Sequence, residues 1–151
     1  VNKYLRLILF ILICEASGLI GSIFTVSSIP TWYATLAKPF FNPPSWVFGP
    51  VWTTLYFLMG VSIFLVWGKK KADTKWFWIQ LFFNFIWSIV FFGFRNLGLG
   101  FIIIALLWAS IVITILEFKK INKISAYLLL PYLAWVSFAS LLNFTILLLN
   151  R

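Results

Sequence analysis

A bundle of five membrane-crossing helices is the fold this sequence predicts, on three observations. Mean hydropathy is +1.04. Hydrophobic residues make up 63% of the chain and charged residues 10%, where an ordinary soluble domain carries roughly 25% charged. Apolar runs recur at Leu5–Val26, Trp46–Trp67, Trp76–Phe94, Leu97–Phe118 and Ala126–Leu149, each close to the ~20 residues a helix needs to cross the bilayer. Helices are expected rather than barrel strands. The alternation of a ~10-residue membrane strand is nowhere visible, and lipid forces a spanning segment to satisfy its own backbone. The class is therefore an all-α integral membrane protein, read as one domain over residues 1–151.

The first span follows Lys3 and Arg6, as a signal peptide would. It runs too long for one and lacks a small-x-small cleavage site, so it reads as an uncleaved crossing. Gly18 with Ser22, and Ser17 with Gly21, leave room for close approach by a neighbouring helix or a flat ligand. Glu15 falls near mid-membrane, where a bare charge costs ~2.5–3.5 kcal/mol or more. It should face the bundle interior, protonated or hydrogen-bonded, either as a ligand or proton contact or as a clamp between helices.

Residues 32–56, WYATLAKPFFNPPSWVFGPVWTTLY, exceed what a connector needs. Pro39, Pro43 and Pro44 fix φ and bias Lys38 and Asn42 toward extended geometry, so this irregular segment loses less entropy on ordering. It enters the second span near Ser45 or Trp46 with Pro50 in the first turns. Bearing Trp32, Tyr33, Phe40, Phe41, Trp46, Phe48 and Trp52, it reads as an ordered lid that continues into the wall of a cavity. Lys38 is a candidate partner for an acidic group on a ligand.

Later spans carry stripes. The second aligns Trp52, Tyr56 and Gly60 at i, i+4, i+8, with Gly60 leaving space beside two rings. The third aligns Gln80, Asn84 and Trp87; amides in hydrocarbon need partners, so they either staple helices or orient a polar ligand edge. Trp76 and Trp78 read as interfacial belt residues. A turn at Arg95 to Gly98 follows, its reversal eased by Gly98 and Gly100. The fourth span, almost purely aliphatic, reads as a scaffold or lipid-facing helix. The fifth places Tyr132, Trp135 or Val136, Ala139 and Asn143 on one face, with Pro131 bending it. Short connectors make consecutive spans antiparallel neighbours.

Composition excludes much chemistry. There is no histidine, and the acids are Glu15, Asp73 and Glu117, so no His-based triad, His-ligated metal or close carboxylate pair is available. The residue set calls for neither metal nor cofactor. Cys14, alone in an apolar run, reads as packing. The net charge of +9 is spread over short clusters between spans, which suits lipid headgroups and topology rather than nucleic acid. Lys3, Arg6, Lys69, Lys70, Lys71, Lys75, Lys119, Lys120 and Lys123 fall on one side; Lys38, Arg95 and Arg151 fall on the other. Positive-inside then puts the N-terminus in the cytoplasm, for a bacterial inner membrane.

Taken together, WYATLAKPFFNPPSWVFGPVWTTLYFLMG, QLFFNFIW and PYLAWVSFASLLN, in that order, resemble the tryptophan-rich sensory protein/translocator protein family, also called the peripheral benzodiazepine receptor family. The resemblance covers nearly the whole chain. It implies five transmembrane helices, often dimeric, that bind porphyrins and, in animal members, cholesterol and synthetic isoquinoline-type or benzodiazepine ligands. Its pocket residues, carried over by position, are Trp32, Pro43, Pro44, Trp52, Asn84, Trp87, Trp135 and Ala139. Trp52 and Trp135 match tryptophans linked to light-dependent porphyrin breakdown in some bacterial members, and so are candidate catalytic residues. The animal cholesterol pattern has a Tyr where Phe144 stands here, so a sterol is not implied.

The expected role is a membrane receptor or sensor that binds a porphyrin or similar planar amphiphile among indoles, and that transports it in one version. The site is expected to include Glu15, Gly18 and Tyr56 beside the family positions. Two alternatives are an enzyme degrading protoporphyrin IX and a structural scaffold whose tryptophans only pack.

Overall fold

The computed structural model describes residues 2–151 and contains, among them, helices and connections but no strand. Helix α1 spans Lys3–Ser28, α2 Phe48–Val66, α3 Lys75–Ser88, α4 Leu97–Lys119, α5 Lys123–Leu128 and α6 Leu130–Leu149. The last two form one crossing, interrupted at Leu129 where Pro131 enters the next turn. Five helical segments are long and apolar enough to cross a membrane, Lys3–Tyr33, Ser45–Val66, Lys75–Gly93, Leu97–Lys119 and Lys123–Leu149. The expected spans therefore hold to within a few residues, except that the first extends to Tyr33.

Three asparagines start helices by accepting from backbone N–H groups that have no partner in the first turn. Asn2 accepts from Tyr4, Asn96 from Leu99, and Asn122 from Ile124 and Ser125. The reversal before α4 differs from expectation. Arg95 takes the left-handed conformation at φ 56 and Asn96 caps the helix, while Gly98 and Gly100 already lie inside it. Gly100 instead allows close packing, since a Cβ there would stand 3.3 Å from both Phe91 and Asn143.

Helix α1 packs on α2 and α3, α4 on α3, α5 and α6, and α2 on α5. The crossings thus close a ring in the order first, second, fifth, fourth, third. Consecutive spans are neighbours except the second and third, whose connection passes the N-terminal part of α1. There Phe10 lies 5.1 Å from the ring of Trp67 and 6.3 Å from that of Trp78. Trp78 is partly buried and packs in this cluster at the start of α3. The scaffold reading of α4 holds: Ile104, Leu107 and Ile111 are buried, and no α4 residue lines the main cavity.

Glycines on α1 and α2 serve helix contact. Gly60 sits against the backbone of Ile11, and Gly18 against the ring of Tyr56. The space expected beside Gly60 is therefore filled. From these contacts the two helices diverge toward the loop, where no atom lies within 4 Å of a Cβ on Gly49. Overpacking a tight contact costs about 1–3 kcal/mol. Gly60→Val should accordingly lower the Tm in detergent, read by thermal unfolding, while Gly49→Ala leaves it unchanged.

Candidate functional site

Two wide helical turns shape the upper end of the bundle. Ile29–Tyr33 continues α1 and Ile89–Gly93 continues α3, both with π-type hydrogen bonding, a local widening that recurs at functional sites. They lie side by side, tied by the Ser28 hydroxyl donating to the Phe92 carbonyl at 2.6 Å. The rings of Tyr33 and Phe92 are 5.7 Å apart. Widening turns Tyr33, Phe91 and Phe92 inward.

Beneath them is a cavity of about 760 Å³, within the ~300–1,000 Å³ range of small-molecule sites. Trp52, Trp87 and Trp135 from three different crossings meet in its wall. Trp52 is 6.4 Å from Trp87 and 6.5 Å, edge-on, from Trp135, and stacks on Tyr56 at 5.8 Å. Of the expected site residues, Glu15, Gly18, Trp52, Tyr56, Trp87, Trp135 and Ala139 line this space.

Four expected residues do not. Trp32 packs edge-on behind Phe91 at 5.7 Å, because the wide turn directs its neighbour Tyr33 inward instead. Pro43 and Pro44 precede the 3-10 turn Ser45–Val47, and the loop reaches the cavity only from Ser45 onward. Asn84 is buried with both ends of its amide engaged: its Oδ1 accepts from the Tyr56 hydroxyl and its Nδ2 donates to Tyr132 at 2.8 Å. The Tyr132 hydroxyl donates onward to Gln80 Oε1 at 2.7 Å. The amide stripe of α3 is thus a staple joining α2, α3 and α6. Trp87 is fixed likewise, its indole N–H donating to Asn143 Oδ1 at 3.1 Å while Asn143 Nδ2 donates to the Leu97 carbonyl at 3.0 Å.

The lid is partly as expected. Tyr33, Ser45, Trp46 and Phe48 line the cavity, and Phe41 packs on Phe138 at 6.1 Å. Phe40 points away, 99% exposed. Tyr33 donates to Asn42 at 2.8 Å, and Asn150 pins the loop by accepting from the Ala37 N–H at 2.9 Å and donating to its carbonyl at 2.8 Å. Lys38 is not placed to meet a ligand, since its ammonium donates to the carbonyls of Tyr33 and Leu36 at 2.8 and 2.9 Å.

Residues 10–149 match the model of the TspO/MBR family. The chain belongs to the TspO/MBR family. It is 46% identical to the tryptophan-rich protein TspO of Archaeoglobus fulgidus, over 97% of each chain. It is 47% identical to that of Chlorobaculum tepidum, over 99% of this chain and 98% of the relative. To the human translocator protein it is 36% identical, over 84% of this chain and 79% of the relative. Family membership and the five apolar crossings together make it an integral, multi-pass membrane protein.

Within this TspO/MBR chain, several wall residues escaped sequence reasoning: Thr25, Phe91, Phe92, Phe138 and Leu142. Phe138 lies three residues from both Trp135 and Leu141, and helical spacing from Trp135 alone would have found it. Phe91 and Phe92 depend on the wide turn. Replacing Asn84 by Ala leaves the buried Tyr56 hydroxyl without its acceptor, at a cost of about 1–3 kcal/mol, and removes the bond that the Tyr132 hydroxyl accepts. Thermal unfolding of Asn84→Ala should show a clear drop in Tm, larger than that of Asn2→Ala at the exposed cap.

Proposed function

We propose that this protein is a membrane receptor for planar hydrophobic ligands, porphyrins among them, which it takes from the bilayer into the tryptophan-walled cavity. The observation that carries this reading is the meeting of Trp52, Trp87 and Trp135, from three crossings, around one unfilled space. Flat aromatic walls favour flat aromatic ligands, each stacked pair adding ~0.5–1.5 kcal/mol beyond area burial. A chain whose tryptophans only packed would be expected to close such a space, as protein interiors are close-packed.

The shape favours reception over conduction. Lining residues Ala16, Leu19 and Val26 of α1, and Trp46, Gly49 and Thr53 on the α2 side, are exposed, so the space opens sideways where α1 and α2 diverge. Toward the inner end the bundle is filled by fully buried Met59, Ile63, Phe77 and Phe118. The charge distribution supports a cytoplasmic N-terminus, with the lid on the opposite face. Two small residues of α1 meet neighbouring helices of the same chain rather than a second copy: Gly18 meets Tyr56, and a Cβ on Gly21 would lie 3.4 Å from Ser88.

One observation favours the enzymatic alternative. Trp52 and Trp135 meet at the cavity wall, so both indoles would touch a protoporphyrin bound there. Absorbance of the bound porphyrin under illumination decides it. Loss of pigment abolished by Trp52→Phe or Trp135→Phe, with binding kept, supports degradation; slow bleaching indifferent to both counts against it.

The receptor reading predicts saturable quenching of tryptophan fluorescence by protoporphyrin IX. Trp52→Ala and Trp135→Ala should each weaken it about tenfold, the equivalent of ~1.4 kcal/mol. Trp108→Phe, on the outer face of α4, should leave it unchanged. Unaltered affinity in both alanine variants would remove the cavity from consideration.

A further inference from the structure

The cavity carries one charged group, and it is an acid. Glu15 is the sole Asp, Glu, Lys or Arg among its lining residues. The ion pairs among the described residues are Lys75–Asp73 and Lys120–Glu117, so Glu15 has no cationic partner. Nor do the neighbouring hydroxyls serve it. Ser22 donates to the Leu19 carbonyl, Thr25 to Gly21, Thr53 to Gly49, and Tyr56 to Asn84. Lys38, the basic residue of the lid, is occupied by backbone carbonyls and lies outside the lining.

Position adds direction. Along α1 the lining runs from Leu12 to Ile29 and on to Tyr33, and Glu15, half-buried, stands near the end remote from the lid. From Glu15 to Ile29 the helix rises about 21 Å at ~1.5 Å per residue. A ligand filling the cavity thus meets indoles and phenylalanines along its faces and a carboxyl at the end remote from the lid. A carboxylate in low dielectric is stabilised by a hydrogen-bonded cation and destabilised by a second anion.

We propose that Glu15 is a specificity-determining residue, and that the preferred ligand is a planar aromatic amphiphile carrying a basic nitrogen at the end remote from the lid. This rests on the cavity being the ligand site. An acidic planar ligand, by the same electrostatics, must keep its carboxylates at the lid, since no cation awaits them inside. The Glu15 carboxylate accepts from the ligand's N–H while the ring system lies against the wall that Trp52 and Trp135 form.

Three tricyclic probes of similar size separate the terms: 9-aminoacridine, cationic at neutral pH; 9-methylanthracene, neutral; and 9-anthracenecarboxylate, anionic. Each is titrated against the full chain in a non-ionic detergent, with quenching of tryptophan emission as the readout. Glu15→Gln, which keeps the size and the hydrogen-bonding capacity but not the charge, should weaken 9-aminoacridine about tenfold. It should change 9-methylanthracene less than about twofold and tighten 9-anthracenecarboxylate, since tenfold corresponds to one lost charge-assisted bond. Saturable binding of 9-methylanthracene with no loss of 9-aminoacridine in the variant overturns the role of Glu15 and leaves the cavity reading standing. Absence of saturable quenching by all three probes in the unsubstituted protein overturns both. Should Glu15→Gln not fold, the unsubstituted protein decides: the anion binding as tightly as the cation overturns the proposal.

Discussion

Everything in this bundle depends on a chain of buried hydrogen bonds running Tyr56–Asn84–Tyr132–Gln80. In hydrocarbon no water completes an unpaired amide or hydroxyl, so each member is held by the next. The chain crosses from α2 to α3 to α6 and back to α3, and Gln80 Nε2 ends it near the Met59 sulfur at 3.9 Å. Spans two and three, which are not neighbours in the ring, are tied through it. Since lipid provides little hydrophobic force between apolar helices, such polar contacts and close glycine packing carry the association. A second pair, Ser62 and Ser125, does the same lower down, each hydroxyl donating to the other's carbonyl at 2.8 and 2.7 Å.

The cavity exists because these ties lie behind it rather than across it. With Tyr56 fixed through its hydroxyl, its ring faces Gly18 and stacks on Trp52. With Trp87 fixed through Asn143, its ring stands beside Trp52. The indole N–H of Trp135, by contrast, is buried without an acceptor, so this ring is positioned by packing against Phe48, Trp52 and Phe138. One wall is thus braced by hydrogen bonds and the other by ring packing.

Much of this was legible in the sequence, for reasons that differ by element. The crossings are written in hydropathy, and the stripe Trp52–Tyr56 in helical spacing. Two things were not legible. Whether Asn84 staples or binds depends on Tyr132, 48 residues away, and spacing within one helix cannot show a partner on another. The wide turns at Ile29–Tyr33 and Ile89–Gly93 leave little trace beyond Pro30. They exchange Trp32 for Tyr33 at the wall and add Phe91 and Phe92. Resemblance to relatives pointed to Trp32, Pro43 and Pro44, which here brace the roof around the cavity rather than line it.

Covalent capture of a flat probe tests the central claim most directly. The full chain in lipid nanodiscs, irradiated with 1-azidopyrene and mapped by mass spectrometry, should carry adducts on Trp52, Phe48, Trp135 and Phe138 that excess unlabelled pyrene suppresses. Suppressible adducts confined to lipid-facing positions such as Trp108, Leu116 and Phe144, with the cavity wall unlabelled, would contradict the account.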